Sequence, residues 1–225
     1  MIPTYSYEFV CEELAGRFKK RGQGKVRMVG ILFARPASQL AKSEIFPNID
    51  HFHSRSGKHI DFFCAGFGAG EGAGPDPIKI PEEYTTKWCS NWIFSNELFN
   101  DFQREISSRT RWKPSGESDL ILANAKYDPD RQKAHIDFSS AITCSLDQMK
   151  RDGAIVSVEN FFEKIFLYAE NASGDDPTWG FSDRVGKEKF GSALIRFVLS
   201  LLPKTIAQDI KRAAHFAVSD ISIST

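Results

Sequence analysis

The chain lacks paired cysteines, a surplus of either charge, an internal repeat and any long apolar run, and each absence removes a class of function. Its four cysteines, Cys11, Cys64, Cys89 and Cys144, are widely spaced without a CxxC, which excludes the spacing of a zinc ribbon or a dithiol oxidoreductase. Cys64 and Cys144 fall inside apolar strand patterns and read as small buried hydrophobes. Lys and Arg number 29 and so do Asp and Glu, so no overall basic field draws nucleic acid. The densest basic stretch, Arg17-Phe-Lys-Lys-Arg21 with Lys25 and Arg27 nearby, reads as a solvated helix end matched to the helix dipole. No stretch nears the ~20 apolar residues of a membrane span, and no basic-then-apolar leader opens the chain. The expected compartment is a reducing cytoplasm, with no membrane contact.

What is present is core material. Of 225 residues 41% are hydrophobic, with 19 Phe and four Trp, ample for a sizeable folded interior. Residues 5–20 place Tyr7, Val10, Cys11, Leu14 and Phe18 at helical spacing, ended by Gly22 and Gly24. Residues 25–35 (KVRMVGILFAR) have the profile of a central strand covered on both faces. A helix opening at Pro36 and disturbed at Pro47 leads to a second strand, 60–67, far enough along for a parallel crossover. Ser95 caps a helix over 96–108, with Phe94 and Phe99 at the two positions of a hydrophobic staple.

Residues 119–127 and 135–146 flank a polar turn and predict an antiparallel hairpin. Alternation puts Ile136, Phe138, Ile142, Cys144 and Leu146 on one face of its second arm, and Asp137, Ser139, Thr143 and Ser145 on the other. Ser157 caps a further amphipathic helix. After a loop, Phe190 to Leu201 predicts another, and residues 204–219 a last one.

The expected architecture is α/β, with a mixed parallel and antiparallel central sheet flanked by helices. Residues 1–24 form an N-terminal helix packed on the domain. Residues 25–171 form the sheet domain, and residues 172–225 add a loop and a C-terminal helical pair to the same globule. Thioredoxin-like domains use this element order. The resemblance is one of topology alone, since no CxxC follows the first strand and Ser118 rather than proline precedes the third, so redox chemistry is not implied. A flavodoxin-like or deoxyribosyltransferase-like sheet is the competing arrangement, and it requires the hairpin to be rewired as parallel strands.

The candidate chemistry is sparse. Strand 60–67 runs into a glycine cluster, Gly68 to Gly74, where open α/β sheets place ligands. Gly68, Gly70 and Gly72, with Arg35 after the first strand, are the candidate ligand-binding residues, and Glu71 is the acid at the tip. The cluster matches a permissive G-x-G-x-x-A dinucleotide fingerprint, but Pro75, Pro77 and Pro81 follow where a helix should open, so it reads as a loop or lid. Asp175 and Asp176 are further candidate acids in a second long loop. Trp179 and Phe181 in that loop, with Trp88 and Trp92, are the candidate interaction aromatics. His51, His53 and His59, near Asp50 and Asp61, have no matching ligand pair elsewhere, so no metal is expected and no cofactor is implied. His135, Asp137, Ser139 and Ser140 form a polar row, with no nucleophile elbow to make them a triad.

Two functions remain open. The first is a cytoplasmic binding domain for a protein partner or a small ligand, with homodimerisation through the C-terminal helices as a variant. The second is an enzyme for a nucleotide or related anionic metabolite at the carboxyl ends of the first two strands, using Arg35, Glu71 and Asp175 or Asp176.

Overall fold

Val26–Phe33 and Ile60–Ala65 are buried almost from end to end, as strands covered on their two faces are. The computed structural model describes residues 1–21, 26–57, 59–69, 77–81, 90–171 and 217–223. In chain order its elements are β1 (Ile2–Thr4), α1 (Tyr7–Arg21), β2 (Val26–Phe33), α2 (Ile49–Arg55), β3 (Ile60–Ala65), β4 (Phe67–Ala69), β5 (Ile78–Lys79) and β6 (Trp92–Phe94). There follow α3 (Asn96–Arg109), β7 (Asp119–Asp128), β8 (Lys133–Ser145), α4 (Leu146–Arg151), α5 (Val158–Asn171) and β9 (Val218–Asp220).

The main sheet has the order β1-β3-β2-β7-β8-β9, and β4-β6-β5 form a smaller one. β1, β3 and β2 run parallel, whereas β7, β8 and β9 continue the sheet antiparallel. This is the mixed α/β sheet that the element order predicts.

Register sorts the core into two layers. Met28, Gly30 and Leu32 share a face with Ile60, Phe62, Cys64, Leu120 and Leu122, while Val29, Ile31 and Phe33 share the other with Asp61, Phe63, Ile121 and Ala123. On the first face Phe162 of α5 lies 4.7 Å from Phe52 and 5.1 Å from Phe62. On the second, Phe99 and Phe102 of α3 meet Phe33 at 5.7 and 5.4 Å, and Phe18 of α1 stacks on Tyr127. Helices therefore cover both faces of the sheet. Among the described residues no helix is long and apolar enough to cross a membrane.

The expected disturbance at Pro47 is visible. The segment before α2 is a π-helical turn, Ala41–Ile45, then a 3-10 turn, Phe46–Asn48, with Pro47 in its first positions. Proline has no N–H to continue an i→i−4 ladder, so the α-helix starts only at Ile49. The staple and cap at α3 are also present: Ser95 accepts from the Leu98 N–H at 3.3 Å, and the Phe94 and Phe99 rings are 5.5 Å apart. Ser95 is fully buried, so Ser95→Ala should cost about 1 kcal/mol in a urea titration. A loss below ~0.3 kcal/mol would deny the cap that role.

Three expectations need correction. The second strand does not run through Phe67: β3 stops at Ala65, Gly66 turns the chain at φ +83°, and Phe67 belongs to β4 of the small sheet. The alternation read along 135–146 is broken. Leu122 pairs with Ile142 but Asn124 with Asp137, so β8 carries three extra residues there and its two halves exchange faces. Asp137 thus lies on the face of Ile142 and Cys144, whereas Ile136, opposite Ala125, lies on the other. Finally, Val218–Asp220 is a strand paired with β8, not the end of a helix, because it supplies backbone partners to Ile142, Thr143 and Cys144. The rest of the predicted C-terminal helical pair lies outside the described residues.

Candidate functional site

The carboxyl ends of β3 and β2 lie at the same end of the sheet as the start of β7 and the finish of β8. Phe33 pairs with Asp119, and Asp119 with Ser145. At that end, between the β7–β8 pair, α4 and β9, is a cavity of ≈ 520 Å³. Its walls come from three stretches: Trp112 to Asp119 before β7, Thr143 to Asp152 across the β8–α4 junction, and Ala217 with Ser219. Open α/β sheets bind ligands beyond the carboxyl ends of their parallel strands, and this cavity borders that end.

Asp119 is its buried acid, 2% exposed. One carboxylate oxygen accepts the Ser115 N–H at 2.8 Å. Burial raises its pKa above the ordinary carboxylate value, and Asp147 pushes the same way, against the hydrogen bond from Ser115. Thr143 Oγ1 is buried and has no hydrogen-bond partner among the described residues. Ser145 stands at the α4 N-cap, yet its side chain does not cap the helix. At the rim Arg151 grips Glu117 through two 2.7 Å bonds, and that hydrogen bonding holds the Glu117 carboxyl below its usual range.

The sequence candidates are scattered. Arg35 follows β2 and is held by α3: Nη1 donates to Asn96 Oδ1 and Nη2 to Asn100 Oδ1, both at 2.6 Å, with the guanidinium 4.3 Å from the Phe99 ring centre. Desolvation lowers its pKa. Gly68 is not a loop glycine; it is buried in β4 and pairs with Ile93. Trp92 is likewise core rather than a surface anchor, 6% exposed and 5.7 Å from Phe67. Gly70, Glu71, Gly72, Trp88, Asp175, Asp176, Trp179 and Phe181 lie outside the described residues.

The histidine cluster separates into structural contacts. His51 bonds Glu163 at 2.7 Å, and His53 Nδ1 meets the Met1 amine at 2.9 Å. Among the described residues no three His, Cys, Asp or Glu side chains converge to hold a metal. Asp137 of the polar row pairs with Lys126 at 2.6 Å.

Sequence reasoning missed the two strongest buried carboxylates, Asp119 as a site residue and Asp61 as an ion-pair centre. Asp61 is fully buried, with Arg17 and Arg27 at 3.3 Å and Arg21 at 3.4 Å. Arg17 and Arg21 are therefore not simply a solvated helix end. A run of basic residues closing a helix gave no signal that two of them face an acid 40 and 44 positions ahead.

Fold and cavity together define a helix-covered mixed α/β sheet with a polar recess at one end. Compared with family models, with curated proteins and with solved structures, the chain gives no significant match.

Proposed function

We propose that the protein is a binding domain for a small polar molecule held in the cavity beside Asp119. The observation that supports this most directly is a buried carboxylate and a buried, unpartnered threonine hydroxyl on the walls of one 520 Å³ recess. Such groups are costly to bury unless something pairs with them, and a bound molecule supplies the partners. With Glu117 and Arg151 answering each other, the remaining lining charges are Lys113, Asp119 and Asp152. This mixture favours a ligand with donors for Asp119 and polar atoms for Thr143 and Ser145 over a purely anionic one. No histidine or cysteine lines the recess among the described residues, which favours binding over acid–base or nucleophilic catalysis. The same reading carries a cytoplasmic location, in keeping with free Cys11, Cys64 and Cys144.

Arg35 keeps the enzyme reading as a second choice. Two asparagines and a phenylalanine orient a guanidinium with no carboxylate partner among the described residues, at the end of the sheet where an anionic metabolite would enter.

Asp119→Asn tests the first reading. Its folded pKa lies above the unfolded value near 3.8, so the folded state holds the proton more tightly and this group's contribution falls as pH rises through that window. Burial disfavours the ionised form of Asp119, and asparagine keeps an oxygen for the Ser115 N–H. The variant should therefore melt at the wild-type temperature or slightly above it, with a flatter acid-side stability profile. In a thermal-shift screen of small amines, polyols and amino acids, compounds that stabilise the wild type should lose their effect in this variant and in Thr143→Val. Hits that stabilise all three proteins equally, or an absence of hits, would sink the proposal.

A further inference from the structure

At the opposite end of the sheet, where β2 and β3 begin, three guanidiniums surround one carboxylate. Arg27 is the deep partner of Asp61: its side chain is 7% exposed, its Nε lies 3.3 Å from Oδ2, and its Nη2 donates to the Gly57 carbonyl at 3.3 Å. Arg17 and Arg21, one helical turn apart on α1, reach Asp61 through Nη1 alone, at 3.3 and 3.4 Å. Their side chains stay 28% and 27% exposed. Gly57 lies beside both forks: a Cβ there would be 3.5 Å from Arg21 Nη2 and 3.9 Å from Arg17 Nη1.

The other groups facing the cluster do not cancel its charge. Glu13 stands 3.4 Å from Arg17 Nε. The Met1 amine also borders it, but burial lowers that amine's pKa to about 5, so it is neutral at pH 7, and burial likewise lowers the His53 pKa. Three guanidiniums against Asp61 and Glu13 leave a net positive charge, and it resides on the two half-exposed arginines.

We propose that Arg17 and Arg21 form a binding site for a phosphate group, seated over Gly57 on the outer side of the Asp61 cluster. Planar guanidinium forks on adjacent turns present paired N–H donors to phosphate oxygens, and Asp61 behind them fixes each fork in place. Gly57 puts no side chain beside the two forks. The site is separate from the Asp119 cavity and does not depend on it.

Inorganic phosphate and pyrophosphate are the probes, with sodium chloride at matched ionic strength as the control. The wild-type melting temperature should rise with either phosphate and not with chloride, and the ³¹P resonance should broaden on adding protein. Arg21→Gln leaves Arg17 and Arg27 on Asp61 and so keeps the fold. It should weaken phosphate binding roughly tenfold or more, the worth of a charge-assisted pair. Lys20→Gln, one position away, should leave binding within about twofold. Equal responses to phosphate and chloride, unchanged binding in Arg21→Gln, or equal losses in both variants would overturn the site. If Arg21→Gln fails to fold, Arg21→Lys, which keeps a cation beside Asp61 but loses the planar fork, takes its place: it should also weaken phosphate binding, and unchanged binding in it would overturn the site.

Discussion

The Asp61→Asn protein is expected to lose about 3–5 kcal/mol of stability, the cost of breaking a buried ion pair from one side. Asp61 is fully buried and lies within 3.4 Å of three guanidinium groups. Asparagine keeps the shape and the polarity but removes the charge. Arg27, its side chain 7% exposed, then loses the carboxylate 3.3 Å from its Nε, while Arg17 and Arg21 turn to water. The damage reaches beyond one strand, because Arg17 and Arg21 stand on α1, Arg27 on β2 and Asp61 on β3. The carboxylate ties the end of a helix to two central strands. Urea unfolding should show the midpoint falling with little change in slope, the signature of a lost native interaction. Adding Arg27→Met should recover part of the loss, since a well-packed apolar side chain carries no charge to bury. Arg21→Gln alone should cost no more than about 1 kcal/mol, because that arginine is partly solvated. A loss below ~1 kcal/mol in Asp61→Asn would mean that water reaches the cluster and that the carboxylate is not its keystone.

Asp61 also marks how far the chain can be read by eye. Local signals carried well: the unbroken apolar runs of β2 and β3, the serine cap and phenylalanine staple of α3, and the proline that delays α2 all act within a few residues. Features that depend on distant partners did not carry. β1 and β9 are three-residue strands that exist because β3 and β8 offer them backbone partners, and neither Ile-Pro-Thr nor Val-Ser-Asp has a period of its own. The bulge in β8 was hidden because apolar residues occupy alternate positions on both sides of it. An unbroken strand and one that switches faces then look alike. The cavity draws on residues 112–119, 143–152 and 217–219, so its convergence is set by sheet order, and no local motif records it. The glycine cluster from 68 onward drew attention as a ligand loop, yet Gly68 is a strand residue and the glycine that the turn requires is Gly66.

That requirement predicts the second large effect: Gly66→Ala should destabilise the protein by about 2–5 kcal/mol. Two costs add. At φ +83° an L-residue is strained by roughly 1–2 kcal/mol. A Cβ there would also lie 2.6 Å from Phe99 Cβ and 2.7 Å from the Phe94 ring, and forcing a methyl into such packing costs about 1–3 kcal/mol. Neither neighbour can yield freely. Phe99 is anchored close to its backbone in the first turns of α3, and the Gly66 carbonyl accepts the N–H of Ser95, the cap of that helix, at 2.9 Å. The Gly66 N–H in turn donates to Thr4 at 2.7 Å, so a shift here loosens β1 as well. Two other glycines separate the terms. Gly116 has φ +86° with nothing within 4 Å of a new Cβ, so Gly116→Ala should show the dihedral cost alone, about 1–2 kcal/mol. Gly30 has no such dihedral, but its Cβ would lie 2.7 Å from the Phe62 ring, so Gly30→Ala should be rescued by Phe62→Leu. Equal losses at positions 66 and 116 would show that the aromatic layer under Gly66 is soft, and that backbone strain alone explains the glycine.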